Sequence, residues 1–228
     1  MADNQTLTLP LIITRGMVVF PGNQKLIEAG RSFSINAVVA AKETADSLVF
    51  LTCQKGTNIE TPTSDDLYQV GTLCRISSTT SRDNSIKVRL EVIERAKFTS
   101  ITKDETNGYY VAQGEIVPVP PVTSAKTSQG YIDAINTQLE NMPSIMTNMP
   151  KSLLTLVSKS DNAITLIYAL ANYLDASLEN KQQLLELDNV EALFTSIMLM
   201  IKGEETKSQI ESSINESVRE STEKSQKE

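Results

Sequence analysis

LYQVGTLCRISSTTSRDNSIKVRLEVIERAKF, residues 67–98, is the stretch that decides the fold. Two apolar halves, 67–78 and 85–98, flank a polar segment with Asp83-Asn84 at its tip. In the second half Ile86, Val88, Leu90 and Val92 alternate with Lys87, Arg89 and Glu91. A period of two with one charged face predicts a half-exposed antiparallel strand, and the two halves together predict a hairpin.

Upstream, LTLPLII (7–13) is apolar, and Pro10 fits an edge or entering strand. Phe20-Pro21-Gly22-Asn23 reads as a turn and KLIEA (25–29) as a short strand that Gly30 ends. RSFSINAVVAAKETAD (31–46) then carries Phe33, Ala37, Val38 and Ala41 at helical spacing. SLVFLTCQ (47–54) is a continuous apolar run of strand length, which predicts a central strand. TNIETPTSDD (57–66) has loop composition. Downstream of Asn107-Gly108, YYVAQGEIVPV supplies another strand. Several strands, one helix and tight turns predict a small, twisted antiparallel sheet or pseudo-barrel.

The composition changes at PVPPVTSAKTSQG (118–130), a Pro-rich and then Ser/Thr-rich stretch. Beyond it the period is helical. One stripe is Ile132, Ile135, Leu139 and Met142, and a short one is Leu153, Leu156 and Val157. A third is Ile164, Ile167, Tyr168, Ala171 and Leu174, and a fourth Leu178, Leu184, Leu185 and Leu187. Asp188-Asn189-Val190-Glu191 has capping-box spacing, with Asp188 expected as N-cap and Glu191 as N3. Val190, Leu193, Phe194, Ile197, Met198 and Ile201 follow as a buried face. Past Gly203 the pattern thins to Ile210, Ile214 and Val218, four apart. A stripe that narrow does not hold a long helix in water without a neighbour. The fold class is thus α+β. The expected divisions are a β-rich domain at 1–119, a linker at 120–130, a helical bundle at 131–202 and an exposed helical extension at 203–228.

Composition narrows the function. The net charge is −7, and no Lys/Arg cluster of the kind that binds phosphates is present, so neither nucleic acid nor an anionic membrane is expected as a partner. No apolar run approaches the ~18–20 residues of a membrane span. MADNQTLTLPLIITRG lacks the charged and apolar regions of a signal peptide, so the expected compartment is the cytoplasm. Cys53 and Cys74 each sit in apolar surroundings, as buried reduced thiols do. The chain has no histidine, which removes Ser-His-Asp and Cys-His catalysis. No phosphate-binding Gly-rich loop is present. Asp65-Asp66 reads as a turn or cap rather than a cation site. Ser100/Lys103 and Ser221/Lys224 share the bare spacing of a Ser/Lys acylase, but neither context suits one. No catalytic residue, metal or cofactor is therefore expected in this stretch of protein.

The residues do resemble a known family, the N-terminal region of the Lon ATP-dependent proteases. The similarity runs in order through LPL (9–11), VVFPG (18–22), Gly30-Arg31 with Ser34-Ile35, QKG (54–56), PTSDDLYQVGT (62–72) and KVRLEVIERAKF (87–98). It continues through LDASLENKQQLLELDNVEALF (174–194) to EKSQKE (223–228). Two departures stand out: Ile12-Ile13-Thr14-Arg15-Gly16 replaces the family's second charged motif, and Ser32-Phe33 replaces a pair that is often charged.

The resemblance implies a PUA-like β domain followed by helices, cut within a long connecting helix. ATP, Mg and a Ser/Lys protease site would belong to parts beyond this segment. It also implies capture of unfolded or degron-tagged proteins and contact with other Lon subunits in a homo-oligomer, hexameric when intact. Candidate substrate-binding residues are Phe20, Pro21 and Phe33 on the β part and Met142, Met146 and Met149 on the helical part; Phe20-Pro21 also reads as a buried turn anchor, and the methionines as core filling between helices. Ile210, Ile214 and Val218 are candidates for oligomer contact. Two other readings remain open: an architectural spacer or oligomerisation module, and a free-standing small-ligand binder on the same β fold.

Overall fold

A computed structural model describes residues 6–225, which divide into two units. The β unit comprises the chain through Pro121 together with Leu178–Asp188. Its strands are β1 (Thr6–Arg15), β2 (Gln24–Ala29), β3 (Leu48–Gln54), β4 (Val70–Arg82), β5 (Ser85–Asp104) and β6 (Tyr109–Val117). Helix α1 (Ser32–Lys42) lies between β2 and β3. The strands form one sheet in the order β2-β5-β4-β3-β1-β6, and β6 also pairs with the second half of β5. That extra pairing closes β5-β4-β3-β1-β6 into a barrel.

The hairpin is β4/β5, with Arg82 opposite Ser85 and Asp83 in the left-handed region (φ 50°) at the turn. One expectation is corrected: the sheet is mixed, because β1 and β3 pair in parallel. Parallel neighbours need a long crossover, and β2 with α1 supplies it.

Both faces of the central strands are buried, as the unbroken apolar run at β3 requires. Ile12, Val49, Leu51 and Cys74 join Ala37, Val38 and Ala41 of α1 in one cluster. Leu11, Ile13, Phe50, Leu73 and Phe98 form another on the opposite side of the strands. Phe50 and Phe98 meet edge-on at 5.2 Å. A side chain at Gly71 has no room there, since its Cβ would lie 2.2 Å from the Leu51 carbonyl oxygen. Burial pushes the Cys74 thiol up to about 12, which leaves it protonated and inert.

A bulge sits in the middle of β5. Cys74 pairs with Val92 and Thr72 with Arg95, so two residues of β4 face three of β5. Strict alternation would put Arg95 outside with Lys87, Arg89 and Glu91. The extra residue turns it to the other face, where it is only 2% exposed. There it meets α6 (Leu178–Glu186), which packs on the β unit although its sequence follows four bundle helices. Arg95 Nη1 donates to the carbonyls of Leu185 (3.1 Å) and Leu187, and Nη2 to that of Pro118 (2.7 Å). A cation capping the carbonyl end of a helix satisfies groups the helix leaves open and complements its dipole. Gln182 of α6, also buried, donates to the Val70 carbonyl at 2.9 Å.

The helical unit holds α2 (Ala125–Glu140), α3 (Pro143–Asn148), α4 (Lys151–Lys159), α5 (Ala163–Tyr173) and α7 (Val190–Ser225). Helix α2 begins inside the stretch expected as linker, capped by Ser124, whose Oγ accepts the Thr127 amide at 3.1 Å. Helix α5 is the core helix, buried from Ala163 to Ala171 except Thr165. Ile132, Ile135 and Leu139 of α2 and Leu193, Ile197 and Ile201 of α7 are buried in the same unit. The α7 N-cap is Asn189, one residue later than expected. Its Oδ1 accepts the Ala192 amide at 2.8 Å.

Candidate functional site

The barrel closes over only part of its length. β6 covers one edge of β1 from Thr6 to Leu11, and β3 covers the other from Leu11 to Arg15. Among the described residues, the edge of Ile12–Arg15 on the β6 side therefore has no strand partner. β2 pairs with the first half of β5 and with no other strand among the described residues. Between these two unpaired edges lies a seam, and a concavity of about 270 Å3 opens there. Its walls are Ile12–Arg15 with Met17 on one side and Ile27–Arg31 on the other, and Ser34 of α1 lies in the lining.

Two guanidiniums, Arg15 and Arg31, and one carboxylate, Glu28, line the seam. Arg31 stands at the N-cap of α1, where an Asp, Ser or Asn would ordinarily accept backbone amides. No side chain caps this helix, and no acidic residue lies in its first turn. Arg31 Nη1 donates to Gln54 Oε1 (2.7 Å), Nη2 donates to the Ile13 carbonyl (2.7 Å), and the guanidinium lies 4.6 Å from the Phe33 ring centre. Gln54, fully buried, is itself fixed by donating to the carbonyls of Gly56 and Ile59. Every one of these partners of Arg31 is uncharged. Burial, and then the nearby Arg15 guanidinium, press the Arg31 pKa below its ordinary value. Arg15 is paired at 2.8 Å with exposed Glu60. Glu28 lines the seam as well, but its carboxylate is drawn to the Ser85 hydroxyl at 2.5 Å. Ser34 is 3% exposed, and its hydroxyl has no hydrogen-bond partner.

None of the expected substrate residues lines the seam, although Phe33 packs under Arg31 beside it, and their surface placement is corrected. Phe20 is 0% exposed, and Pro21, Phe33, Met142 and Met149 are buried; Met146 is half-buried. The physical reason is the scarcity of rings. With 5% aromatic residues, the core takes the large apolar side chains available, and Phe33 packs edge-on to Tyr110 at 5.1 Å. Ile210 (55%) and Ile214 (56%) are exposed on α7 as expected; the side chain of Val218 lies outside the described residues. Leu199, 65% exposed, extends that stripe by three helical turns and was not anticipated. Exposed Leu26 on β2 and Val39 on α1 were likewise missed. Asp66 serves as a cap, accepting the Thr63 amide at 2.7 Å and the Thr63 hydroxyl at 2.8 Å. Lys103 pairs with Glu105 at 3.1 Å rather than with Ser100. Among the described residues no cluster of His, Cys, Asp or Glu could hold a metal ion, and no helix is long and apolar enough to cross a membrane.

A second concavity, about 300 Å3, lies in the helical unit between α3, the end of α5 and α7. Asp175 and Lys207 pair within it, and the Tyr173 hydroxyl donates to the Ile145 carbonyl at 3.4 Å. Glu204 lines it as well, so its acidic side chains outnumber its basic ones.

Residues 8–203 match the family described as the ATP-dependent protease La (LON) substrate-binding domain. The chain belongs to that family. Among its Lon relatives, the Lon protease of Acinetobacter baumannii (strain AB307-0294) is 29% identical over 223 residues, covering 96% of this chain and 27% of the relative. The Lon protease of Haemophilus influenzae (strain ATCC 51907 / DSM 11121 / KW20 / Rd) is 29% identical over 229 residues, covering 100% and 28%. The chain thus spans little more than a quarter of the length of these Lon proteases. The fold is shared with the N-terminal domain of Mycobacterium avium complex Lon protease (TM-score 0.68, 14% identity, 86% of this chain and 98% of that one). A Lon N-terminal domain protein from Xanthomonas campestris is similar at TM-score 0.60 and 18% identity, covering 85% and 98%.

Proposed function

We propose that this chain is the part of a cytoplasmic, ATP-dependent Lon protease that captures unfolded or degron-tagged proteins and passes them to an unfoldase and Ser/Lys protease in the remainder of the enzyme. The observation that carries this reading is the seam in a member of a substrate-binding family. Unpaired strand edges bind extended polypeptide through main-chain hydrogen bonds, which tolerate many side-chain sequences. Titrating a fluorescently labelled, permanently unfolded protein onto the chain tests it. Saturable binding that perturbs NMR signals of Ile12–Arg15 and Gln24–Arg31 is expected; no saturation, with unshifted spectra, overturns it.

A second role, assembly with other Lon subunits, is favoured by one observation. Leu199, Ile210 and Ile214 stand exposed along one side of α7, on a helix too sparsely apolar to be stable alone. Light scattering on the full chain and on a version ending at Lys202 separates the roles. Concentration-dependent association of the full chain only is expected, and two monomers would remove the assembly role.

A further inference from the structure

We propose that the seam between β1 and β2 receives the C-terminal carboxylate of an extended polypeptide, bound by Arg31, the N-terminus of α1 and the Ser34 hydroxyl. This deepens the substrate-recognition reading above and rests on it.

Three features meet in the lining of one concavity. A helix N-terminus concentrates partial positive charge and open amides, and here no side chain caps it. The Arg31 fork sits at the same place with neutral partners only, although a guanidinium is built to meet a carboxylate. Ser34, whose buried hydroxyl has no partner, is one of the residues lining the same concavity. A native structure seldom leaves such a group unpaired without a use for it. An arriving carboxylate would accept from all three. It would also offset the repulsion between Arg31 and Arg15, which adds to burial in lowering the Arg31 pKa.

Size favours the terminus over an acidic side chain, and one of the two directions open to an added segment is compatible with it. β2 runs antiparallel to β5, β5 to β4 and β4 to β3, while β3 is parallel to β1, so β2 runs opposite to β1. An extended segment lying alongside β2 in the same direction has its C-terminal end at Gly30-Arg31. There α1 begins and the seam stops. The volume, about 270 Å3, is below the roughly 300–1,000 Å3 of pockets that enclose drug-sized ligands. It suits the last residues of a chain.

The test uses one short, labelled Val/Thr-rich peptide in three forms: free acid, C-terminal amide, and amide with an internal Glu. Fluorescence anisotropy on the intact chain should show the free acid binding about tenfold tighter than either amide. Ser34→Ala should weaken the free acid about threefold while leaving the amides unchanged. Arg31→Lys should erase the preference. Equal binding of acid and amide, no binding of any form, or a preference indifferent to Ser34→Ala overturns the proposal. So does equal binding of the Glu-containing amide, which would make the contact one to an acidic side chain. An unfolded protein that binds while acid and amide peptides bind alike removes this site and leaves substrate recognition standing. Free-acid binding without unfolded-protein binding does the reverse.

Discussion

The two ends of the β barrel treat an arginine in opposite ways. At the closed end, β6 bridges β1 and β5, and Arg95 is enclosed by three carbonyl oxygens, two from the end of α6. At the open end, β2 leaves β1 uncovered, and Arg31 faces a concavity with two neutral partners and an idle hydroxyl beside it. Charge and residue type are the same. What differs is enclosure: Arg95 is 2% exposed beneath α6, whereas Arg31 is half-buried and borders the concavity. An enclosed cation is a rivet; one at an opening can meet something from outside.

The strongest way to break this contrast is Arg95→Met. It keeps much of the volume but strands buried carbonyls, and a loss of about 3 kcal/mol is expected in urea unfolding followed by β-sheet circular dichroism. An unchanged midpoint would mean that Arg95 is no more structural than Arg31. Gly71→Ala, also away from the seam, should cost about 2–3 kcal/mol through overpacking against Leu51 and Phe98. Its free-acid preference should survive in the fraction that folds, as measured by anisotropy below the melting temperature. The smallest effect has the opposite sign. Ser34→Ala should raise stability by about 1 kcal/mol without ligand, because it removes a buried hydroxyl that has no partner. Destabilisation on thermal melting would show that the protein itself uses that hydroxyl, and the two ends would then be alike.

The hairpin was legible because its alternation and its Asp83-Asn84 tip are local. So were α1 and the doubly buried β3. The parallel β1/β3 pair was not, since apolar runs carry no direction. The bulge at Ile93 left no mark except an Arg where period two expects a solvent-facing residue. Helix α6 shows a further limit: Leu184 and Leu185 announce an apolar face, but periodicity does not say which neighbour that face meets. The same blindness left Phe20 and Met142 readable as core or as surface, as an apolar side chain reads identically whether it fills a core or greets a ligand. The seam did have a signal. Arg31 occupies a helix start where Ser, Thr, Asp or Asn is the usual choice, and Ser34 follows three residues later without a partner of its own. The spacing was visible; that nothing in the fold satisfied the hydroxyl was not.

Leu185 lies 90 positions after Arg95 in the chain. During synthesis, which proceeds from the amino end, the barrel strands leave the ribosome long before the segment that lids them. Until that segment arrives, Arg95 must stay hydrated and the face it will occupy stays wet. Maturation of the first-made half of the molecule therefore waits on residues translated after most of the second half.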